Sequence, residues 1–478
     1  MSLGCGNDVG PVNRKKELLK NTAILSIGTF LPKAASFFTL PILTAYLTKE
    51  QYGTYDLISI LASLLLPVTT LQIHTAAFRF LIEQRGNRSL ARKYLSNILV
   101  FVVPVSVITL LLLFVVIPVN DLQIKAWIVA YLFFDTILCE IGQVARGLAR
   151  NIDYSISAVI SSLTLLALAA ILVGFLGMGL DGAVISLALS PVLALIYLVV
   201  RLRAHELFSL SEIDASVLKD MLSYSWPMVP NNLSGWVMRV SDRFVVTLML
   251  GVASNAVYAV ANKIPSLLTL AQTTFAMAWQ ENASIASKEE DAAKYYSHMF
   301  STMSDFYAGC LGLLIAVTPL LFPLVIKGDY WDAYEQMPLL FLSMFFYAMA
   351  SFLGGIYIAL KATKSVGITT IMAAACNIIT DLALIRFIGI YAASISTLVS
   401  YFALFAYRAA DVGRLVDIKI DYLRLTFIVM LLVIEAALFY INSPIANVIN
   451  ASIAVVAACY LVRPMALPLL RKIKKATS

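Results

Sequence analysis

Long apolar stretches follow one another along almost the whole chain, and the connections between them are short. In a lipid bilayer the backbone has to satisfy its own hydrogen bonds, so a segment of roughly 20 apolar residues crosses it as an α-helix. Only 13% of the 478 residues are charged, whereas soluble domains have roughly 25%. The pattern therefore predicts an all-α, polytopic membrane protein.

Fourteen stretches are long enough to be predicted as transmembrane helices. Their approximate bounds are 20–47, 53–82, 93–118, 122–146, 155–176, 180–201, 222–250, 254–282, 299–326, 334–360, 366–386, 389–409, 422–441 and 445–466. The longest connections fall near 202–221 and 283–298. Loops of this length leave no room for a separate catalytic domain.

Lysine and arginine are unequally distributed between alternate connections. With the amino terminus placed in the cytoplasm, 26 of the 35 basic residues fall on the cytoplasmic side, 3 outside and 6 within predicted helices. Cytoplasmic loops carry such an excess in membrane proteins. The bias predicts an even number of helices with both termini cytoplasmic. It also explains the net charge of +7 without nucleic-acid binding.

The chain repeats itself weakly. Leu47–Tyr55 resembles Leu250–Tyr258 at an offset of 203, and Gly179–Ser190 resembles Gly389–Ser400 at an offset of 210. Both matches fall at equivalent places in two sets of six helices, which would be related by an axis along the membrane normal. The predicted domains are a six-helix bundle at 1–205, a second at 206–415, and helices 13 and 14 with a basic tail at 416–478.

Several charged residues lie within these apolar helices, where a charge costs at least about 2.5 kcal/mol. Arg239, Asp242 and Arg243 share one face of predicted helix 7, since they are three and four residues apart. We therefore expect Arg239 and Arg243, together with Lys33 in helix 1, to line a polar, water-accessible cavity. The alternative is an ion pair of Asp242 with one of the arginines that only braces the helix.

A second set of polar residues has the spacing of a small-cation site. Asn377 and Asp381 are four residues apart in predicted helix 11, and Thr397 follows in helix 12. With Asp242 they would offer the oxygen ligands that hard cations prefer. The alternative is hydrogen bonding between helices, which is common in membranes. We expect no catalytic residues and no metal site, because the five cysteines show no metal-ligand spacing.

The clearest resemblance to a known family is carried by Pro41–Leu57, Ser241–Arg243 and Tyr258–Lys263, with support from Asn377 and Gly389–Ser400. In these runs, and in its length and helix count, the chain resembles the bacterial polysaccharide (O-antigen type) flippases. These proteins belong to the multidrug/oligosaccharidyl-lipid/polysaccharide exporter superfamily.

The resemblance implies that a lipid-linked oligosaccharide is flipped from the inner to the outer leaflet of the cytoplasmic (inner) membrane by alternating access. The carrier would be a polyprenyl (undecaprenyl) diphosphate. Partners would be membrane lipids and polysaccharide polymerase machinery. In such flippases basic residues of a central cavity meet the diphosphate and any acidic sugars. The residues that the resemblance assigns to this role are Lys33, Arg79, Arg239, Arg243 and Lys263.

The resemblance also implies an ion-coupling site. Related peptidoglycan-precursor flippases use a sodium site with a helix 7 acid, an Asn/Asp pair on helix 11 and a threonine on helix 12. Asp242, Asn377, Asp381 and Thr397 match this pattern. The coupling ion would be Na⁺ or H⁺, with no other cofactor. The chain departs from the peptidoglycan branch on helix 1, where Lys33 is the only basic residue after Lys20 at its start.

Two other functions fit the composition less well. A drug or metabolite exporter of the same superfamily would need acids to dominate the cavity, whereas this chain has a basic excess. An integral-membrane polysaccharide polymerase or transferase would need catalytic carboxylates on a sizeable loop. We therefore expect a transporter and not an enzyme.

Overall fold

The computed structural model describes residues 11–83, 87–116 and 121–477. Over these ranges the regular structure is entirely helical. The side chains of residues 11–27 and 464–477, and those of a few positions between them, lie outside the described part of the structure. Arg239 is one of these positions, and so are the basic side chains near both ends of the chain.

Seventeen α-helices are formed by the described residues. In chain order they are α1 (Pro11–Tyr46), α2 (Lys49–Thr69), α3 (Ile73–Glu83), α4 (Arg88–Val116), α5 (Leu122–Gly147), α6 (Asn151–Leu168), α7 (Gly179–Leu202), α8 (Ala215–Ser225), α9 (Met228–Leu250), α10 (Val252–Ala261), α11 (Leu267–Ala286), α12 (Ala292–Val325), α13 (Trp331–Ala359), α14 (Thr363–Ile388), α15 (Tyr391–Leu415), α16 (Tyr422–Ile441) and α17 (Pro444–Thr477).

The polytopic all-α class is confirmed. Within the described residues, ten helices are long and apolar enough to cross a membrane, which is compatible with the fourteen predicted spans. The remaining four predicted spans correspond to α1, to α8 and α9, to α10 and α11, and to α15. Lys33, Asp242 and Thr397 lie on α1, α9 and α15, and Lys263 lies in the turn between α10 and α11.

Three predicted spans are interrupted. The span 53–82 breaks between α2 and α3, where Leu71 and Gln72 adopt φ of 47° and 59°. This left-handed conformation ends an α-helix. The span 222–250 breaks after α8, just before Pro227, and the span 254–282 breaks at a turn that contains Lys263 and Pro265. A proline has no backbone N–H to donate and disrupts the helix that precedes it.

A π-helical segment, Ala169–Phe175, extends α6. Its hydrogen bonds skip one residue more than those of an α-helix, as in the bond from the Leu176 amide to the Ile171 carbonyl (2.8 Å). π-turns of this kind are rare and interrupt α-helices locally. The segment packs against α1 and α7.

The first compact unit comprises residues 1–47 and 58–233. Its core is built by α3, α4, α5, α7 and α8, and includes the fully buried Ile98, Val144, Leu198 and Met221. The short helix α8 is capped by Asp214, whose carboxylate accepts from the Ser216 amide (2.9 Å). A hydrogen bond from Lys93 holds the pKa of Asp214 below its usual value.

The second compact unit comprises residues 48–57 and 234–478. Among its helices that are long and apolar enough to cross a membrane, α13 is the most buried. It packs on α15 and α11, while α17 and α16 pack on α12. The boundary after Leu233 is later than the predicted one at residue 205, because α8 packs on α3 and α4. The predicted bundles at 1–205, 206–415 and 416–478 stay a prediction.

Candidate functional site

Arg243 on α9 has a counter-ion on α2. Its Nη1 lies 2.8 and 2.9 Å from the two carboxylate oxygens of Asp56. The Asn255 amide on α10 donates to Asp56 Oδ2 at 3.4 Å. Asp56 is buried, and the Arg243 side chain is 18% exposed. The arginine is therefore neutralised by Asp56, and Asp242 on its own helix has other partners.

Lys263 belongs to the same group of charges. It lies half-buried in the turn between α10 and α11 and interacts electrostatically with both Asp56 and Arg243. Two predicted substrate cations of the second unit are thus close to one buried acid. Sequence reasoning missed Asp56 because it lies near the start of a predicted span, where an acid is unremarkable. Asp56 does lie within Pro41–Leu57, one of the segments that carry the family resemblance.

A second cluster surrounds Asp242 on the neighbouring face of α9. Asp242 Oδ2 accepts from the Tyr258 hydroxyl at 2.8 Å and from the Thr397 hydroxyl at 2.7 Å. Both hydroxyls also reach the carbonyl of Ala393, at 3.4 and 2.9 Å. All three side chains are buried. The structure therefore joins Asp242 with Thr397, as the spacing predicted, and adds Tyr258, which sequence reasoning did not assign.

Asn377 and Asp381 extend this cluster along α14. The Ser241 hydroxyl donates to Asn377 Oδ1 at 3.1 Å, and the carboxylate of Asp242 acts electrostatically on Asp381. Neither oxygen of the fully buried Asp381, nor Oδ1 of Asp242, has a hydrogen-bond partner among the described residues. Buried carboxylate oxygens without partners are costly. A cation or a proton would satisfy them, and carboxylate, amide and hydroxyl oxygens suit Na⁺.

The other predicted cations are placed separately. Lys33 on α1 and Arg79 on α3 belong to the first unit, and both are exposed. The backbone of Arg239 belongs to α9, but its side chain lies outside the described residues. The structure thus brings together Arg243 and Lys263 of the five predicted substrate contacts.

A buried pair in the first unit was not anticipated. His74 Nδ1 on α3 lies 3.3 Å from Glu140 Oε1 on α5. Glu140 is fully buried, and His74 is 8% exposed. Residues 66 positions apart carry no spacing signal, so only the packing of α3 on α5 reveals the pair.

A family model described as "polysaccharide biosynthesis protein" matches residues 18–280. A search of curated proteins finds no match. Solved structures with a similar fold include the lipid II flippase MurJ in an inward closed conformation, with 14% identity and a TM-score of 0.69. That match covers 94% of this chain and 100% of MurJ.

Two further structures are similar over a smaller part of the chain. A multidrug resistance MATE family transporter of the MOP superfamily, in an outward-facing conformation, has 15% identity and a TM-score of 0.57. A MOP superfamily transporter from Pyrococcus furiosus Vc1 has 16% identity and a TM-score of 0.55. Each covers 84% of this chain and 96% of its own. The TM-scores show a shared fold. Because the family model matches more than half of this chain, the chain belongs to the polysaccharide biosynthesis protein family, and it shares its fold with transporters of the MOP superfamily.

Proposed function

We propose that the protein flips a polyprenyl-diphosphate-linked oligosaccharide from the inner to the outer leaflet of the cytoplasmic membrane, for cell-surface polysaccharide synthesis. The observation that carries the proposal is the family match, because residues 18–280 contain all five predicted substrate cations. The fold shared with a lipid II flippase supports the same class of substrate. The protein would lie in the inner membrane with both termini cytoplasmic.

The cations supply what this substrate needs. A diphosphate loses its hydration when it enters a bilayer, and charge-assisted hydrogen bonds from arginine and lysine offset that loss. The prenyl tail stays in lipid throughout. Arg243 already binds Asp56, so the diphosphate would compete with that carboxylate for the guanidinium. Such an exchange favours reversible binding, which a transporter requires.

Cation coupling belongs to the same proposal. Asp242, Asn377, Asp381 and Thr397 would take up Na⁺ or H⁺ and bias alternating access in one direction. The support is the set of unpartnered carboxylate oxygens on Asp242 and Asp381. The coupling ion would be bound by side chains of the second unit alone.

The test is genetic and biochemical. Deletion of the gene should abolish surface polysaccharide and cause a lipid-linked glycan to accumulate on the inner leaflet. The Arg239→Ala, Arg243→Ala double variant should fail to restore surface polysaccharide while still reaching the membrane. Arg414→Ala, an exposed position at the end of α15, serves as the matched control and should restore it fully. Full restoration by the double variant would refute the assignment of these arginines.

Export of a small molecule is the second candidate, favoured by the similarity to a multidrug resistance MATE family transporter. It predicts that the deletion strain becomes sensitive to cationic drugs while its surface polysaccharide is unchanged. The two functions thus give opposite results in the same strain.

A further inference from the structure

A buried arginine of the second unit has no carboxylate partner. Arg408 lies near the end of α15 and is 5% exposed. Among the described residues, no Asp or Glu oxygen lies within 4.0 Å of its guanidinium. Asp411, three residues later, is bound instead by the Tyr357 hydroxyl at 2.6 Å. Arg408 lies at the end of the predicted helix 389–409, and its burial could not be read from the sequence.

The guanidinium is held in place by neutral oxygens. Nε donates to the Thr369 hydroxyl (3.0 Å) and Nη1 to the Ala350 carbonyl (2.8 Å). Nη2 donates to the Thr370 hydroxyl (3.1 Å) and the Val366 carbonyl (3.4 Å). Gly354 leaves the space that the group occupies, since a Cβ there would lie 2.8 Å from Nη1. Helices α13 and α14 therefore orient the guanidinium without removing its charge.

Arg408 faces a cavity of about 170 Å³. The wall is formed by α9, α11, α13, α14 and α15, and its polar side chains besides Arg408 are Gln280, Tyr347, Ser351 and Thr370. A water molecule takes roughly 30 Å³ of liquid volume, so the cavity has room for a group of the size of phosphate. None of the lining residues is acidic.

We infer that this cavity binds a phosphate group. A fixed, desolvated guanidinium with neutral hydroxyl and amide neighbours attracts an anion, and the one N–H of Nη1 that these bonds do not use can donate to a phosphate oxygen. The group could belong to a free phosphate, a phospholipid head or the diphosphate of a carrier lipid, which share this chemistry. None of the residues that line this cavity is one of the five predicted substrate cations. It goes beyond the proposed function and does not depend on it.

The test measures binding to the purified full-length protein in detergent. The probes are inorganic phosphate, dioleoylphosphatidylglycerol and undecaprenyl diphosphate, each followed by the rise in Tm and by titration calorimetry at constant ionic strength. At least one probe should bind the wild type, and Arg408→Gln should weaken that binding at least about tenfold. Arg408→Lys, which keeps the charge, should retain part of it. Arg414→Gln, an exposed position on the same helix, should bind as the wild type does.

Ser351→Leu separates a phosphate site from a purely structural clamp. It fills the cavity and leaves every hydrogen bond of Arg408 in place. The phosphate site predicts loss of binding with little change in Tm in the absence of the probe, and it decides the question even if Arg408→Gln does not fold. Binding of none of the three probes to the wild type, or undiminished binding by Ser351→Leu, would overturn the inference. The probe that binds most tightly identifies the source of the phosphate.

Discussion

At the scale of single residues, the second unit contains buried acidic side chains of two kinds: those with a basic partner and those without a hydrogen-bond partner among the described residues. Asp56 neutralises Arg243, and Asn255 supports the carboxylate. Asp381 has no partner among the described residues. Breaking a buried ion pair leaves an uncompensated charge and is costly, whereas a buried carboxylate without a partner is a candidate for binding an ion or a proton. The two acids should therefore respond differently to substitution.

Asp56→Ala should destabilise the protein by about 3–5 kcal/mol, because it leaves the guanidinium of Arg243 buried without a counter-ion. Adding Arg243→Met should recover much of that loss, since a buried ion pair contributes less than its breakage costs. Denaturation in mixed micelles measures both changes. Asp329→Ala, which breaks the exposed Lys49–Asp329 pair, is the control and should have little effect. A double variant as unstable as Asp56→Ala would contradict the pairing.

Asp381→Asn should leave the fold intact, because the residue makes no hydrogen bond to a described side chain that the amide would break. On the proposed coupling it should abolish the Na⁺ or pH dependence of transport in proteoliposomes. Asn377→Ala should weaken the same dependence. Transport by Asp381→Asn that responds to Na⁺ and pH as in the wild type would remove this residue from the coupling site.

At the scale of elements, a close approach of Gly53 on α2 to Val252 on α10 accompanies the pairing of Asp56 with Arg243. Gly53 permits this approach, since a Cβ at that position would lie 2.2 Å from the carbonyl oxygen of Val252. A backbone atom cannot move aside as a flexible side chain can. The Asn255 amide also donates to the carbonyl of Gly53, at 3.4 Å.

Gly53→Ala should therefore cost about 1–3 kcal/mol through overpacking, and it should weaken any activity that requires Arg243. Gly367→Ala on α14 is the matched substitution, because nothing lies within 4 Å of the added Cβ. That change should stabilise the protein by up to about 1 kcal/mol through helix propensity. Denaturation midpoints of the two variants should move in opposite directions, and equal shifts would contradict this packing.

The sequence predicted the positions of the apolar helices better than the breaks within them. Apolar length alone located the helices, because a bilayer imposes one solution on each long apolar segment. The break at Leu71 and Gln72 contains neither glycine nor proline, so no local signal marked it. Spacing placed Asp242, Asn377 and Asp381 on suitable helix faces, but only tertiary packing showed that Tyr258 and Thr397 bind one oxygen of Asp242. Asp56 and Arg408 were missed because burial depends on partners far away in the sequence.

At the scale of the whole molecule, family membership and the positive charges lead to a prediction of orientation. The bias of 26 cytoplasmic to 3 external basic residues predicts that both termini lie in the cytoplasm. A fluorescent protein fused after residue 477 should therefore fluoresce in cells, and alkaline phosphatase fused there should be inactive. Phosphatase fused within the connection at 326–330, between α12 and α13, should be active. Activity of the phosphatase at residue 477 would contradict a cytoplasmic C-terminus.

The π-helical segment at 169–175 is a place where helix α6 can gain or lose one residue. One extra residue is accommodated in a single turn there, as the amide of Leu176 shows by skipping to the Ile171 carbonyl. Excising one amino acid from this turn would restore regular winding and leave the flanking residues in phase with α1 and α7. Single-residue deletions elsewhere in α6 would rotate one whole helix face by about 100°. Natural homologues should thus differ in length by one at this turn more readily than at other points of the helix.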